Sequence, residues 1–494
     1  MLESDLKQYF NYEQFRPGQK EVITSVLEGN HTIAMLPTGT GKSLCYQLSG
    51  YKLTGQVIIV SPLLSLMQDQ VEQMKMNGEK SVVAVNSFLA GSDRKKALLN
   101  LNQYKFIFIS PESLANPLLM DRLKMLKKIS LFVIDEAHCI SQWGYDFRPD
   151  YMKLGEVREK LGFPLTLALT ATATKDVIED IIQSLRLDNC QQIVFSVDRP
   201  NIAMSVLRIE NHQDKWNVLY KHVAKLKGPG IIYFSSKKMA EQAVTYLRGK
   251  GVNNIAAYHG GMDQESRILI QQQFLMNQLE IICATSAFGM GVNKENIRFV
   301  IHYHMPGQVE SYLQEIGRAG RDGKPSVAVL LYSPGDEQLA YQLALSEIPS
   351  IQQLDWLLNM VHQSEDVWSH DLEAWQKMGG FTDTSWRFVS NILLDRDQTK
   401  SDILTNLLDY KNIVESRRKL KEEKTAVMTK LVRSDGCRRS QILQYFKEDT
   451  VGKDLKSCCD RCGFEMKLFY RGNIEEKNEV EFSWKQRLTD ILLN

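Results

Sequence analysis

Short, nearly unbroken apolar runs alternate along the chain with longer amphipathic stretches. The first series is Thr32-Ile-Ala-Met-Leu, Val57-Ile-Ile-Val, Val82-Val-Ala-Val, Phe106-Ile-Phe-Ile, Leu131-Phe-Val-Ile and Leu165-Thr-Leu-Ala-Leu. Apolar side chains at successive positions suit a strand covered on both faces, so the pattern predicts a parallel sheet flanked by helices. A second series opens near Lys227: Ile231-Ile-Tyr-Phe, Ile255-Ala-Ala-Tyr, Ile281-Ile-Cys-Ala, Phe299-Val-Ile-His and Val327-Ala-Val-Leu-Leu. It predicts a second sheet of the same kind. Between the two, Ser196-Val-Asp-Arg-Pro-Asn201 is a proline-broken connection and reads as a hinge. After Pro334-Gly335 the strand pattern gives way to helical stretches rich in Leu and Trp. Leu354 to Val361 and Ser385 to Leu394 read as helices there, with Gly379-Gly380-Phe-Thr-Asp as a turn and cap.

The 494 residues, 43% of them hydrophobic, suffice for about three to four domains. The expected fold is α/β, two parallel-sheet lobes followed by a mainly helical module. Expected boundaries are 1–197 and 198–340 for the lobes, 341–430 for a helical insertion or linker, 431–466 for a cysteine-bearing module and 467–494 for a tail. No stretch of about eighteen apolar residues occurs, and the first residues lack the basic and apolar parts of a signal peptide. A cytosolic protein with no membrane partner is expected. Sixty Lys and Arg against 59 Asp and Glu give a net charge of +1, so any nucleic-acid path must be local. One local excess lies between Lys411 and Arg439, where ten basic residues face four acidic ones.

Several strands end in polar residues, where open α/β sheets place their ligands. Leu36-Pro-Thr38-Gly39-Thr40-Gly41-Lys42-Ser43 follows a strand and opens a helix. The glycines let backbone N–H groups turn toward phosphates, Lys42 reaches the β- and γ-phosphates, and Ser43 can hold magnesium. Leu36 stands where the strict form of this motif has Gly. Asp135-Glu136-Ala-His138 closes another strand, where one carboxylate can help hold magnesium and the next can polarise a water. Arg318 and Arg321 fall three apart on an expected helix, so both would project from one face and reach a γ-phosphate across a cleft. Of the eight cysteines, Cys437, Cys458, Cys459 and Cys462 crowd together and match the ligand count of a closed tetrahedral zinc site. Adjacent Cys458 and Cys459 strain such a site. Either all four bind with a local bend, or another group replaces one of them.

With these motifs in this order, residues 10 to 335 resemble the RecQ family of DNA helicases. Four stretches carry the likeness. Phe10-Asn-Tyr12-Glu-Gln-Phe-Arg16-Pro-Gly-Gln19 resembles the family's adenine-reading segment, which implies packing of Tyr12 and Arg16 near the base and a hydrogen bond from Gln19 to its edge. Asp135 to Pro149 resembles the acidic motif joined to an aromatic-rich loop. Trp143 and Phe147 offer faces for stacking bases, and Arg148 offers charge beside them. The family usually carries His where this chain has Tyr145. Ala284 to Lys294 and Gln314 to Gly323 complete the second lobe. Ser61-Pro62, Ser110-Pro-Glu112, Thr170-Ala-Thr172, Phe234-Ser-Ser236, Tyr258-His-Gly-Gly261 and Thr285 resemble the family's strand-contact and coupling motifs. Cys437-Arg-Arg-Ser-Gln and Ser457-Cys-Cys-Asp-Arg-Cys462 resemble the ends of its zinc module.

The resemblance implies two RecA-like lobes, ATP, Mg2+ and Zn2+ as cofactors, and single-stranded and forked duplex DNA as partners. It further implies 3′-to-5′ movement and work in recombination, repair and replication-fork maintenance in the cytoplasm at the nucleoid. A monomer, with single-strand-binding or recombination proteins as partners, is the expectation. The stretch 337–430 is longer than the likeness implies, and reads either as a helical contact to duplex DNA or as packing support. Past Cys462 only a short polar tail follows, so winged-helix and terminal accessory domains are expected to be absent. Two rival readings stay open: an ATP-gated DNA-binding or remodelling module that translocates little, and an RNA helicase built on the same lobes.

Overall fold

The structure is a computed structural model and describes residues 2–62, 64–85, 91–141, 149–289, 294–394, 398–450 and 457–472. Among these residues seven strands form one sheet: β1 (Thr32–Met35), β2 (Gln56–Val60), β3 (Val82–Val85), β4 (Phe106–Ile109), β5 (Ile129–Ile134), β6 (Thr166–Thr170) and β7 (Gln191–Val194). Their order is β3-β4-β2-β5-β6-β1-β7. A second sheet holds six: β8 (Ile202–Arg208), β9 (Gly230–Tyr233), β10 (Ile255–Tyr258), β11 (Ile281–Ala284), β12 (Phe299–His302) and β13 (Ser326–Tyr332). There the order is β10-β11-β9-β12-β13-β8. Every pairing in both sheets is parallel. Both lobes therefore have the doubly covered architecture that the unbroken apolar runs predict.

Two strands escape the apolar pattern, and both lie at sheet edges. β7 opens with two glutamines and is mostly exposed, because an edge strand needs less apolar surface than a central one. β8 begins directly after the hinge, well before Lys227, and runs in seven-residue register with β13. Its outer edge is covered by the cysteine segment: Met204 N–H donates to Cys458 O at 3.1 Å, and Asp460 N–H donates to Met204 O at 2.9 Å. One apolar core continues from the first lobe through Ile202 and Ile316 to Ile442 and Cys459.

The helices Ile351–Gln363, Leu372–Met378 and Asp383–Leu394 share a separate core with the start of the 34-residue helix Lys400–Arg433. Leu354, Leu357, Trp375, Val389 and Leu407 meet inside it. That arrangement favours the packing reading of this stretch, since the apolar faces close on one another. Reciprocal capping boxes start two of the helices, Ser350 with Gln353 and Thr399 with Asp402. Each cap is worth about 1 kcal/mol. At about 50 Å, the long helix carries this core back to the second lobe, where Lys424 donates to Glu310 at 2.8 Å. Among the described residues, no helix is long and apolar enough to cross a membrane.

Candidate functional site

The phosphate-type loop leaves β1 and turns through two left-handed glycines, Gly39 (φ +87°) and Gly41 (φ +72°), before the helix Lys42–Lys52. A Cβ on Gly39 would lie 2.7 Å from Cγ of Arg321, so neither the backbone conformation nor the space admits a side chain. The loop's carbonyls are held from outside. Arg16 donates to Gly39 O at 2.5 Å, Gln19 Nε2 donates to Thr40 O at 2.6 Å and Gly41 O at 3.1 Å, and Arg199 Nη1 donates to Thr38 O at 2.7 Å. Within the loop Thr40 N–H donates to Pro37 O at 3.3 Å, and the turn through Gly39 and Gly41 at the start of the helix is the kind of backbone that receives an anion.

Asp135 and Glu136 stand at the end of β5, which lies between β2 and β6, so they share the C-terminal end of the parallel sheet with the loop that leaves β1. Glu136 takes a left-handed backbone (φ +49°), a cost that a non-glycine residue accepts where the surroundings over-determine it. Its carboxylate is 3.9 Å from Lys42 Nζ and 3.5 Å from His138 Nδ1. Burial, and then the Glu136 carboxylate alongside, push Asp135 up to about 7, while Lys42 opposes the shift. A buried carboxylate pair that one lysine only partly neutralises is suited to a divalent cation. Ser43 and Asp135, which line the same cavity, would hold magnesium there.

That cavity measures about 280 Å³ and lies between the lobes. Tyr12, Arg16, Gln19, Thr38, Gly39, Gly41, Lys42, Ser43, Asp135, Glu136, Arg318 and Arg321 all line it. Thr40 alone of the expected nucleotide residues does not; its hydroxyl donates to Pro37 O at 2.8 Å and shapes the loop from within. Tyr12 is 55% exposed at the rim. Gln19 is buried with its amide engaged by the loop and its Oε1 accepting from Arg16 N–H at 2.9 Å, so here it braces backbone.

One expectation needs correcting. Arg318 and Arg321 do not share a helix face, because the helix Val309–Ile316 ends before them and they stand on the following turns, where Gly320 has φ +56°. Both nevertheless reach the cavity. Arg318 is buried and donates to Gly289 O, and burial together with Arg318 and Arg199 holds the Arg321 guanidinium below its ordinary range. Desolvated cations packed this closely favour an anion between them.

Sequence reasoning missed Arg199 and Glu295. Glu295 lines the cavity and accepts from Arg16 at 2.8 Å across the lobes. No local motif marks either, since each matters only through partners distant in sequence. Trp143, Phe147 and Arg148 lie outside the described residues. Of the other strand-end positions, Thr170 faces the acidic motif through His138 at 3.0 Å. Ser110 and Ser236 serve as helix caps. Ser235, Gly260 and Thr285 line a second cavity of about 680 Å³, walled on its far side by Glu347 and Lys421 of the helical stretch.

The four clustered cysteines converge. Their sulfurs all lie within 4.8 Å of one another, with Cys437 to Cys458 at 3.5 Å, Cys459 to Cys462 at 3.6 Å and Cys437 to Cys459 at 4.0 Å. A tetrahedron of thiolates around zinc has edges of about 3.8 Å, so the donor set fits that ion. Left-handed Ser457 (φ +54°) supplies the bend that brings both adjacent cysteines in. Backbone N–H groups of Arg438 and Ser440 point at Cys459 and Cys437, which suits thiolates. We expect about one equivalent of zinc per chain. Serine at any one of the four should lower both metal content and melting temperature, because binding energy at such a site contributes to folding. Zinc near zero by atomic spectroscopy in unmodified protein purified without chelator would overturn the assignment.

Three family descriptions match the chain: DEAD/DEAH box helicase over residues 16–181, helicase conserved C-terminal domain over 214–323, and RecQ zinc-binding over 400–463. The chain is 43% identical over 491 residues to the probable ATP-dependent DNA helicase RecS of Bacillus subtilis, covering 99% of this chain and 97% of that protein. It is 42% identical over 335 residues to the ATP-dependent DNA helicase RecQ of Haemophilus influenzae, covering 67% of this chain and 53% of that one. Among solved structures, Lhr of Mycobacterium smegmatis bound to single-stranded DNA and AMP-PNP superposes with a TM-score of 0.56 at 19% identity, over 79% of this chain and 57% of Lhr. Dbp5 of S. cerevisiae bound to RNA superposes with a TM-score of 0.55 at 19% identity, over 81% of this chain and 96% of Dbp5. At that identity the likeness carries the fold, not the choice of nucleic acid.

Proposed function

The chain belongs to the RecQ family of helicases, and from that premise we propose that it is an ATP-dependent DNA helicase moving 3′ to 5′ on single-stranded DNA and separating forked duplexes. The observation that carries this reading is the inter-lobe cavity, in which the phosphate loop and acidic pair of one lobe face two arginines of the other. Such a cleft is complete only when the lobes meet. Hydrolysis and lobe movement are then coupled by construction.

Each residue has a distinct task. Lys42 neutralises charge on the β- and γ-phosphates, and Glu136 takes the proton of the attacking water as His138 and Lys42 hold its carboxylate in place. Magnesium, when bound through Ser43 and Asp135, supplies further charge neutralisation on the phosphates. Arg318 and Arg321 stabilise charge on the transferring phosphoryl group. Tyr12 and Arg16 flank the adenine, with Gln19 beside them. Trp143, Phe147 and Arg148 hold the DNA strand, and their continuity in sequence with Glu136 ties strand occupancy to hydrolysis. Both halves of the cleft come from one chain, which supports action as a monomer. Recombination, repair and fork maintenance at the nucleoid, with single-strand-binding or recombination proteins as partners, are the proposed setting.

Paired assays test this reading. Single-stranded DNA should stimulate ATP hydrolysis well beyond an RNA of the same sequence, and duplexes with a 3′ tail should be unwound in preference to those with a 5′ tail. Stronger stimulation by RNA would select the RNA-helicase reading, because RNA specificity uses the 2′-OH. DNA-stimulated hydrolysis without strand displacement would select the remodelling module.

A further inference from the structure

The hinge between the sheets does more than change the direction of the chain. Arg199 lies within it, and its guanidinium sits in the interface between the lobes. Nη1 donates to Thr38 O at 2.7 Å and Gly317 O at 3.1 Å, while Nη2 donates to Ala319 O at 3.1 Å and Gly320 O at 2.7 Å. One acceptor belongs to the phosphate loop. The other three belong to the turns that carry Arg318 and Arg321. A guanidinium is a rigid planar fork, so four bonds shared in this way constrain how far the two backbones can separate and at what angle they meet.

The residue before it is held as well. Buried Arg439 donates to Asp198 Oδ1 at 2.5 Å and to Ile202 O at 2.7 Å, which grips the hinge on both sides of Arg199. Glu448 accepts from Val197 N–H at 2.7 Å and from the Ser196 hydroxyl. Arg439 belongs to the helix Arg438–Tyr445, whose Tyr445 hydroxyl donates to Glu310 at 2.8 Å on the helix leading into the arginine turns. The helix that starts at the cysteine cluster thus fixes both the hinge and the approach to those turns.

We propose that Arg199 is a positioning residue for ATP hydrolysis, setting the Arg318 and Arg321 turns against the phosphate loop, and that Arg439 aims it by holding Asp198. Arg199 contacts backbone carbonyls of both lobes and acts through the groups they carry. Its loss should therefore lower the rate of the chemical step and spare nucleotide binding. The proposal rests on the reading of the inter-lobe cavity as the hydrolysis site.

The test is steady-state ATP hydrolysis at saturating single-stranded DNA, run beside equilibrium binding of a fluorescent ATP analogue and thermal melting. Arg199→Ala should lower kcat about a hundredfold, the scale of a misplacement of roughly 1 Å at a reacting centre, with analogue affinity within about threefold. Arg199→Lys keeps the charge and loses the fork, so its kcat should stay near that of Arg199→Ala. Asp198→Asn should cause a smaller loss, and combined with Arg199→Ala it should add little, because both act through one set of contacts. Full activity in Arg199→Lys, equal losses in kcat and affinity, or a double variant whose loss is the product of the separate ones would each overturn the proposal. If Arg199→Ala does not fold, Arg199→Lys and Asp198→Asn carry the test. Lys42→Ala separates the two levels of failure: hydrolysis independent of Lys42 removes the cleft reading itself, whereas hydrolysis that needs Lys42 and ignores Arg199 removes only this proposal.

Discussion

Arg318→Ala and Arg321→Ala should each lower the rate of DNA-stimulated ATP hydrolysis by about a thousandfold or more, the range measured when an arginine finger is removed. Nucleotide affinity should change far less. The guanidinium groups line the cavity from the second lobe, so under the proposed function their full effect is reached only as charge moves onto the transferring phosphoryl group. The two variants should differ in stability. Arg318 is 5% exposed and bonds to the Gly289 carbonyl, so its removal also leaves a buried acceptor without that donor. Arg321 packs its side chain against Gly39 in the loop, and its removal relieves mutual repulsion with Arg318 and Arg199. Single-turnover hydrolysis alongside equilibrium nucleotide binding separates these effects. Losses of equal size in rate and affinity would show that the arginines make ground-state contacts.

Lys42→Ala should abolish turnover in practical terms, with a loss on the order of a hundred- to a thousandfold from the missing charge alone. Lys42 is 3.9 Å from Glu136 and opposes the burial that pushes Asp135 up to about 7. Without it the buried acidic pair loses its nearby cation. DNA affinity and melting behaviour should stay near those of the unmodified protein. Near-normal hydrolysis by a homogeneous Lys42→Ala preparation would refute the phosphate-loop assignment.

Features whose physical cause is local could be read directly from the sequence. Central strands such as β1, β2 and β5 are buried on both faces, so their apolar runs are uninterrupted. A phosphate loop needs glycines, a lysine and a serine in succession, and an acidic pair needs a strand end, so each is written in contiguous residues. The edge strands β7 and β8 were hidden for the converse reason. One is largely solvated, and the other is covered by a segment some 250 residues later, which no local pattern records.

The arginine pair illustrates the division. Its identity and spacing were legible, but whether a helix continues through it depends on packing at Gly317 and Gly320, and the helix stops at Ile316. Likewise the count of four cysteines was visible in the chain, whereas their convergence depended on the Ser457 bend and on pairing of the segment with Met204. By itself the sequence determined two parallel-sheet lobes, the phosphate loop, the acidic pair and the membership of the cysteine cluster, because short-range sterics and side-chain chemistry suffice for them. Only the tertiary structure decided that Arg16, Gln19 and Arg199 hold the loop's carbonyls and that Arg439 holds the hinge, because hydrogen bonds between residues far apart in sequence exist only after the lobes have packed.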